Sequence, residues 1–217
     1  MKTTAENTYL GFELNKTIKA SKGFYVEHLD AIYEILATAK ANMTKPIVAH
    51  LVIDSPNDKA LEQLSRILIR WYEEEQGSNA QAVKYFACLE VRPRNKQRHL
   101  HLMVVFNSLK DSRESLYILR RKLTKLSKSA TCKIQQRKLE HRAPLTNSET
   151  GKIATNADGG IIRLGSTYYH RLISEFEDAF NRFSYLAKVM TKSTEQKRGL
   201  NYGHSRIRKN QNTPLPQ

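Results

Sequence analysis

The stretch QRHLHLMVVF, residues 97–106, limits what this chain can fold into more than any other part of it. It sets two histidines one residue apart at the head of a strongly apolar run. A β-strand repeats every two residues, so His99 and His101 point to one side and Leu100, Leu102, Val104 and Phe106 to the other. The pattern predicts a strand with one apolar face and one histidine-bearing face. Whether the second face does chemistry depends on what the neighbouring segments bring to it.

The helical spacing of Val26, Leu29, Ile32, Ile35 and Leu36 predicts a helix over 24–43, which Pro46 ends. PIVAHLVID (46–54) reads as a strand, and SPND (55–58) caps a second amphipathic helix, KALEQLSRILIRWYEEEQ. AVKYFACLEV (82–91) is the next strand, PRNK (93–96) a turn, and the histidine strand follows. SLKDSRESLYILRRKLTKLSK (108–128) is a basic amphipathic helix and SATCKIQQRKL (129–139) a last strand. The expected class is therefore α+β. Its order is that of the ferredoxin-like (βαββαβ) fold, an antiparallel sheet with helices on one face. In that topology the histidine strand is central, the helices cover the Leu100 and Leu102 side, and the histidine side stays open. An N-terminal helix precedes this unit, and a long C-terminal helix, TYYHRLISEFEDAFNRFSYLAKVMTK (167–192), follows it. Residues 1–23 read as a polar arm, and residues 140–165, with DGG at 158–160, as a long loop. The expected division is an arm and helix over 1–45, one domain over 46–192 that includes the C-terminal helix, and a basic tail over 193–217.

With 217 residues, 40% of them hydrophobic, the chain can bury one substantial core. No run is apolar enough to span a membrane, and MKTTAENTYLGFELNK lacks the apolar stretch of a secretory signal. Cys88 and Cys132 lie in apolar segments and read as buried thiols of a reducing compartment, so the expected location is cytoplasmic. The formal charge of +15 is uneven: residues 1–91 carry 10 Lys/Arg against 12 Asp/Glu, residues 92–217 carry 26 against 9. Positive charge concentrated in this way favours a polyanionic partner, most commonly nucleic acid.

Glu90 stands near the end of the strand before the histidines. A turn of two or four residues places it across from His99 or His101 on their own face, and an odd-length turn removes it to the other. Two imidazoles and a carboxylate suit a divalent cation with free coordination positions. Zn²⁺ fits such a set, and Mg²⁺ or Mn²⁺ fits better if the substrate is a phosphodiester. His50 and Asp54 on the first strand are alternative third ligands. The same residues also suit an ordinary polar cross-strand pairing. Arg92, Arg94, Lys96 and Arg98 around the turn add charge that attracts phosphate, which favours the metal reading.

A nucleophile can come from the C-terminal helix. With Phe183 as the reference, Leu172, Phe176, Ala179, Phe180, Ala187 and Met190 fall within about 60° of it, and Tyr185 about 160° away beside Lys188 and Lys192. Tyr185 thus lies off the apolar stripe, on a face where two ammonium groups can favour a phenolate or hold a phosphate. Tyr168 and Tyr169 are weaker rivals near the helix start.

His-hydrophobic-His on a central strand, with a downstream helical Tyr-x-x-Lys, resembles the HUH endonucleases. More narrowly, HLHLMVVF followed by FNRFSYLAKVMTK resembles the inovirus-type (filamentous phage gene II-like) replication initiators and the related prophage YagK/YfjJ-type proteins. The likeness runs from residue 46 to about 206, KRGLNYGHSR included, and implies that the 46–192 unit is an HUH-type endonuclease domain. It implies that His99, His101 and Glu90 hold Mg²⁺ or Mn²⁺ on the scissile phosphate of single-stranded DNA. Tyr185 would attack, leaving a 3′-OH and a 5′-phosphotyrosine, and Lys188 would steady the charge. Position 189 is valine, so a second tyrosine one turn on is absent and the implied enzyme uses a single tyrosine. No P-loop is present, so unwinding would fall to a host helicase. Arg120 and Arg121 of the basic helix, with Lys192 and the tail, would hold phosphates. Three rivals remain: an RNA-recognition module using Phe86 as a stacking platform, a relative that binds DNA without cutting it, and a hydrolase that uses water.

Overall fold

Residues 46–54 carry apolar side chains at odd and even positions alike, and a strand of that kind must be covered on both faces. The computed structural model describes residues 2–15, 23–77, 83–92, 95–136, 152–153, 155, 168–189 and 202–205. In chain order its elements are β1 (Thr3–Thr4), β2 (Thr8–Tyr9), β3 (Phe12–Glu13), β4 (Phe24–Tyr25), α1 (Val26–Asn42), β5 (Pro46–Asp54), α2 (Ala60–Gln76), β6 (Val83–Val91), β7 (Arg98–Asn107), α3 (Ser112–Leu123), β8 (Cys132–Ile134), β9 (Tyr169–Arg171), α4 (Phe176–Ser184) and β10 (Tyr202–His204). The architecture is mixed α+β. The main sheet has six strands in the order β10-β6-β7-β5, with β8 and β9 sharing the far edge of β5. Every neighbouring pair is antiparallel.

Each face of this sheet carries its own core. Leu51, Ile53, Leu100, Leu102, Val104 and Phe106 pack against Leu64, Leu68 and Trp71 of α2 and Leu116, Leu119 and Leu123 of α3. Val48, Phe86, Cys88, Met103 and Val105 pack against Leu29, Ile32, Ile35 and Leu36 of α1 and Ala179, Phe180 and Phe183 of α4. The histidine side is therefore covered by two helices, not open. The reason is visible in β7, where Met103 and Val105 follow the histidines on the same face and need apolar partners.

The ends of the chain depart most from expectation. Residues 2–15 are not a loose arm: Leu14 is 1% exposed, and Phe12 meets Tyr33, Phe176 and Phe180 ring to ring. The Asn181 amide donates to the Glu13 carbonyl at 3.1 Å, and the Asn15 N–H to the Ser184 hydroxyl at 2.9 Å, which straps this segment to α4. Within the expected long helix over 167–192, the described residues form instead a strand, a nine-residue helix and a 3₁₀ turn over Tyr185–Ala187. Its first residues complete the β5 edge, where Tyr169 to Arg171 pair with Ala49 to Ile47 and satisfy backbone groups that a helix would leave open. In the expected tail, Tyr202–His204 form β10 against Phe86 to Cys88. The expected loop around DGG at 158–160 lies outside the described residues.

Candidate metal and nucleophile site

The β6–β7 hairpin fixes the relation of Glu90 to the histidines. The ladder runs to Val91↔Arg98 and closes with the Arg92 N–H on the Gln97 carbonyl at 3.0 Å, with four residues of sequence between that pair. The even number keeps the faces in phase. Glu90 stands directly across from His99, and Cys88 across from His101.

Glu90, His99 and His101 form a buried cluster able to hold a metal ion, their nearest ligand atoms all within 4.8 Å of one another. Exposure is 0% for Glu90, 7% for His99 and 8% for His101. Glu90 Oε2 lies 3.3 Å from His101 Nε2 and 3.6 Å from His99 Nε2. Ligands about 2.1 Å from one ion stand roughly 3.4 Å apart on a tetrahedral edge and roughly 3.0 Å apart on an octahedral one. The observed separations fit the tetrahedral edge and need only a small contraction for the octahedral one. An N₂O donor set suits Zn²⁺ and Mn²⁺ alike.

The two alternative ligands have other work. Asp54 is across from His99, but its carboxylate accepts from Arg92 at 3.0 Å and pairs with Lys133 at 3.2 Å. His50 lies behind the cluster, with its Nε2 2.9 Å from His101 Nδ1. Burial, reinforced by the His101 ring and Arg182, holds the His50 imidazole well below its usual range, so it stays neutral. A neutral His50 can accept a hydrogen bond from His101 Nδ1–H at its Nε2, which leaves the Nε2 lone pair of His101 facing Glu90 and His99.

Tyr185 opens the 3₁₀ turn after α4 and lies half-buried over the cluster, its ring 5.7 Å from that of His101 at 71°. Burial raises its pKa, and Glu90 and Cys88 add to the rise while Arg182 opposes it. Lys188 is 2% exposed, with its Nζ 5.1 Å from the Tyr185 ring centroid and 3.4 Å from Asn15 Oδ1. Burial lowers its pKa and Glu90 partly restores it. The backbone explains why Lys188 is held so firmly. Lys188 bridges to Phe24, and the Val189 N–H donates to the Gly23 carbonyl at 3.1 Å. Gly23 has φ +74° and a Cβ there would stand 2.1 Å from the Thr4 carbonyl oxygen, so only glycine fits that crossing.

A cavity of about 240 Å³ adjoins the cluster, lined by Asn15, His50, His101, Gln135, Arg182 and Tyr185. The structure thus brings Tyr185, Lys188 and the three expected ligands to one place. It separates the expected phosphate contacts. Arg92 stays close through Asp54, and Lys96 is exposed at the turn with φ +53°. Arg98 alternates with His99, so it points to the opposite face and pairs with Asp58 at 3.3 Å. Arg120 and Arg121 sit on α3, which packs on that opposite face too. Arg94 and Lys192 lie outside the described residues. Phe86, the expected stacking platform, is fully buried beneath His28 and Tyr202.

The sequence reading passed over Arg182, Asn15 and Gln135. Arg182 precedes Tyr185 by three residues, and the helical spacing that singled out Lys188 on the other side applies to it equally. Asn15 and Gln135 are brought in by long-range packing and carry no local signal. No helix among the described residues is long and apolar enough to cross a membrane. Neither a protein-family model nor a curated protein matches the chain.

Proposed function

We propose that the protein is an HUH-type endonuclease that nicks single-stranded DNA through Tyr185, akin to the inovirus-type rolling-circle initiators. One observation carries the reading: the Tyr185 ring lies against His101 of the buried Glu90–His99–His101 cluster, with the buried Lys188 Nζ 5.1 Å from the centre of that ring. The strand order β6-β7-β5-β8, antiparallel throughout and with α2 and α3 on one face, supports a ferredoxin-like unit at the centre of the fold. On this view β9, β10, α1 and α4 are additions that cover the second face.

In the proposed reaction Tyr185 Oη attacks the phosphorus and the bond to the 3′ oxygen breaks, giving a 5′-phosphotyrosine and a free 3′-OH. The phenolic proton leaves Tyr185 as the new P–O bond forms, and the departing 3′ oxygen gains one. Lys188, whose Nζ lies 5.1 Å from the Tyr185 ring centroid and whose hold on the ammonium form is weakened by burial, would exchange that proton. Arg182 at the cavity wall offers a bidentate partner to a non-bridging phosphate oxygen. Glu90, His99 and His101 would hold Mg²⁺ or Mn²⁺, which supplies Lewis-acid polarisation of the phosphate.

The test is a denaturation-resistant adduct between the protein and labelled single-stranded DNA in Mn²⁺, with Tyr185→Phe and a chelator as controls. An adduct lost in both controls supports the reading. Cutting without an adduct would assign the attack to water. Salt-sensitive binding with neither, across many sequences, would favour a DNA-binding relative without the chemistry. The near-complete burial of the cluster is the observation on that side.

A further inference from the structure

We propose that the flank of α3 bearing Arg113, Tyr117, Arg120 and Arg121 is a docking surface for the phosphate backbone of duplex DNA, separate from the cluster. The proposal rests on the nucleic-acid reading above for its context, but not on any cleavage. Around the helix Arg113, Tyr117 and Arg120 fall within about 60° of one another, and Arg121 lies about 40° beyond Tyr117. They sit off the buried stripe of Ser115, Leu116, Leu119 and Leu123.

These side chains are organised. The Arg113 guanidinium lies 5.0 Å from the centre of the Tyr168 ring and 5.9 Å from that of Tyr117, and the Arg120 guanidinium lies 5.4 Å from the Tyr117 ring. Arg113 also donates to the Tyr168 hydroxyl at 3.5 Å. Stacking on rings holds a guanidinium without consuming its charge, and no carboxylate among the described residues pairs with Arg113, Arg120 or Arg121. Lys122 on the same helix, by contrast, is paired with Glu74. Glu114 is the only carboxylate within α3 itself.

The chemistry of the patch selects its partner. Surfaces for single strands present open aromatic faces on which bases stack. Here two guanidiniums lie over Tyr117, and one of them also lies over Tyr168, so the rings orient cations and phosphate is what the surface meets. A duplex carries one phosphate per about 1.7 Å of axis, twice the density of one strand, and rewards backbone contacts most. The patch lies across the sheet from Glu90, His99 and His101, so a duplex held there is a different segment from the strand at the cluster.

The experiment measures binding of the full chain to a labelled duplex and to one of its strands, in chelator, over a range of salt. The variant R113Q/R120Q/R121Q should bind the duplex at least about tenfold more weakly at 0.1 M salt. Its log–log salt slope should be shallower by about 2.7, the counterions released by three contacts. Single-strand affinity should change less than twofold. The lysine variant R113K/R120K/R121K keeps the charges and should keep the slope, which guards against misfolding as the cause. His99→Ala/His101→Ala should bind the duplex like the wild type. A wild-type slope in the glutamine variant, or an equal loss on single strand and duplex, overturns the proposal. Adduct formation on single strands by a protein that ignores the duplex would overturn it too, while leaving the endonuclease reading standing.

Discussion

Glu90→Gln separates a metal site from a structural ion pair. The side chain is fully buried and its carboxylate meets two imidazole nitrogens at 3.3 and 3.6 Å. Because the three ligand atoms are already gathered, little of the binding free energy goes into rearrangement. An ion present at 100 times its Kd then stabilises the folded state by about 2.7 kcal/mol. At about 2–4 °C per kcal/mol for a chain of this size, the wild type should melt roughly 5–11 °C higher in Mn²⁺ than in chelator. Gln keeps the volume of Glu and removes the anionic ligand, so the Mn²⁺ shift should fall below about 1 °C. In chelator the amide removes a buried charge, and Glu90→Gln should melt at or above the wild-type temperature. The assay is thermal unfolding of both proteins at pH 8, where ordinary imidazoles are neutral. No Mn²⁺ shift in the wild type, or an undiminished shift in the variant, refutes the metal site. A loss of about 3–5 kcal/mol in chelator would mark the cluster as a carboxylate paired with imidazolium, since breaking such a buried pair costs about that much.

Other outcomes follow from the same geometry. Tyr185→Phe should abolish the DNA adduct while leaving unfolding within about 1 kcal/mol of wild type, because the ring packing on His101 is kept. His50→Phe should weaken Mn²⁺ binding by about ten- to a hundredfold in calorimetric titration, with His50→Gln recovering part of it; equal affinities would deny His50 its hold on His101. Lys188→Met preserves a long buried side chain, and should lower the adduct rate by about a hundredfold with stability retained; an unchanged rate would remove Lys188 from the reaction. Burial pushes the Cys132 thiol up to about 12, so its thiolate is roughly one part in ten thousand at pH 8, and Cys88 is fully enclosed. Neither should react with a thiol reagent until the protein unfolds, and fast native labelling would contradict the packing of β6 at Cys88 or of β8 at Cys132.

What the chain reveals locally and what it does not can be traced to particular residues. Strand parity alone places His99 and His101 together, and the even turn adds Glu90, because both depend on neighbours within one hairpin. Tyr185 and Lys188 were legible through helical spacing, although α4 ends at Ser184 and the spacing holds only through the 3₁₀ turn that follows. The covered histidine face was written in Met103 and Val105, which share the parity of the histidines and are as apolar as the residues opposite. His99 and His101 make only the first part of that face polar. β9 is only three residues long and lies just before the helical spacing of α4, which masks the strand preference of Thr and Tyr in TYYHR until the open edge of β5 draws it in. Asn15 reaches Lys188 across 173 positions of sequence, a separation at which no local pattern carries information.

The second core changes what the site can do. On an open sheet Tyr185 and Lys188 would keep their hydration and ordinary proton affinities. Under α1 and α4 both Tyr185 and Lys188 are driven toward their neutral forms, by burial first. A phenol and an amine enclosed together can exchange a proton without separating charge into water, whereas an exposed pair would rest as phenol and ammonium. Negative charge arriving beside Arg182 favours the ammonium at Lys188. Positive charge held by Glu90, His99 and His101 cancels the influence of Glu90 that raises Tyr185, and so favours the phenolate. The ion acts on both partners, because Glu90 also supports the ammonium at Lys188: it eases loss of the Tyr185 proton, and the incoming phosphate supplies the charge that keeps that proton on Lys188. For that reason substrate and ion should activate Tyr185 together far more than either does alone, and a double-mutant cycle between Arg182→Gln and Glu90→Gln on the adduct rate should show strong non-additivity. Simple additivity would mean that the two groups act on separate steps.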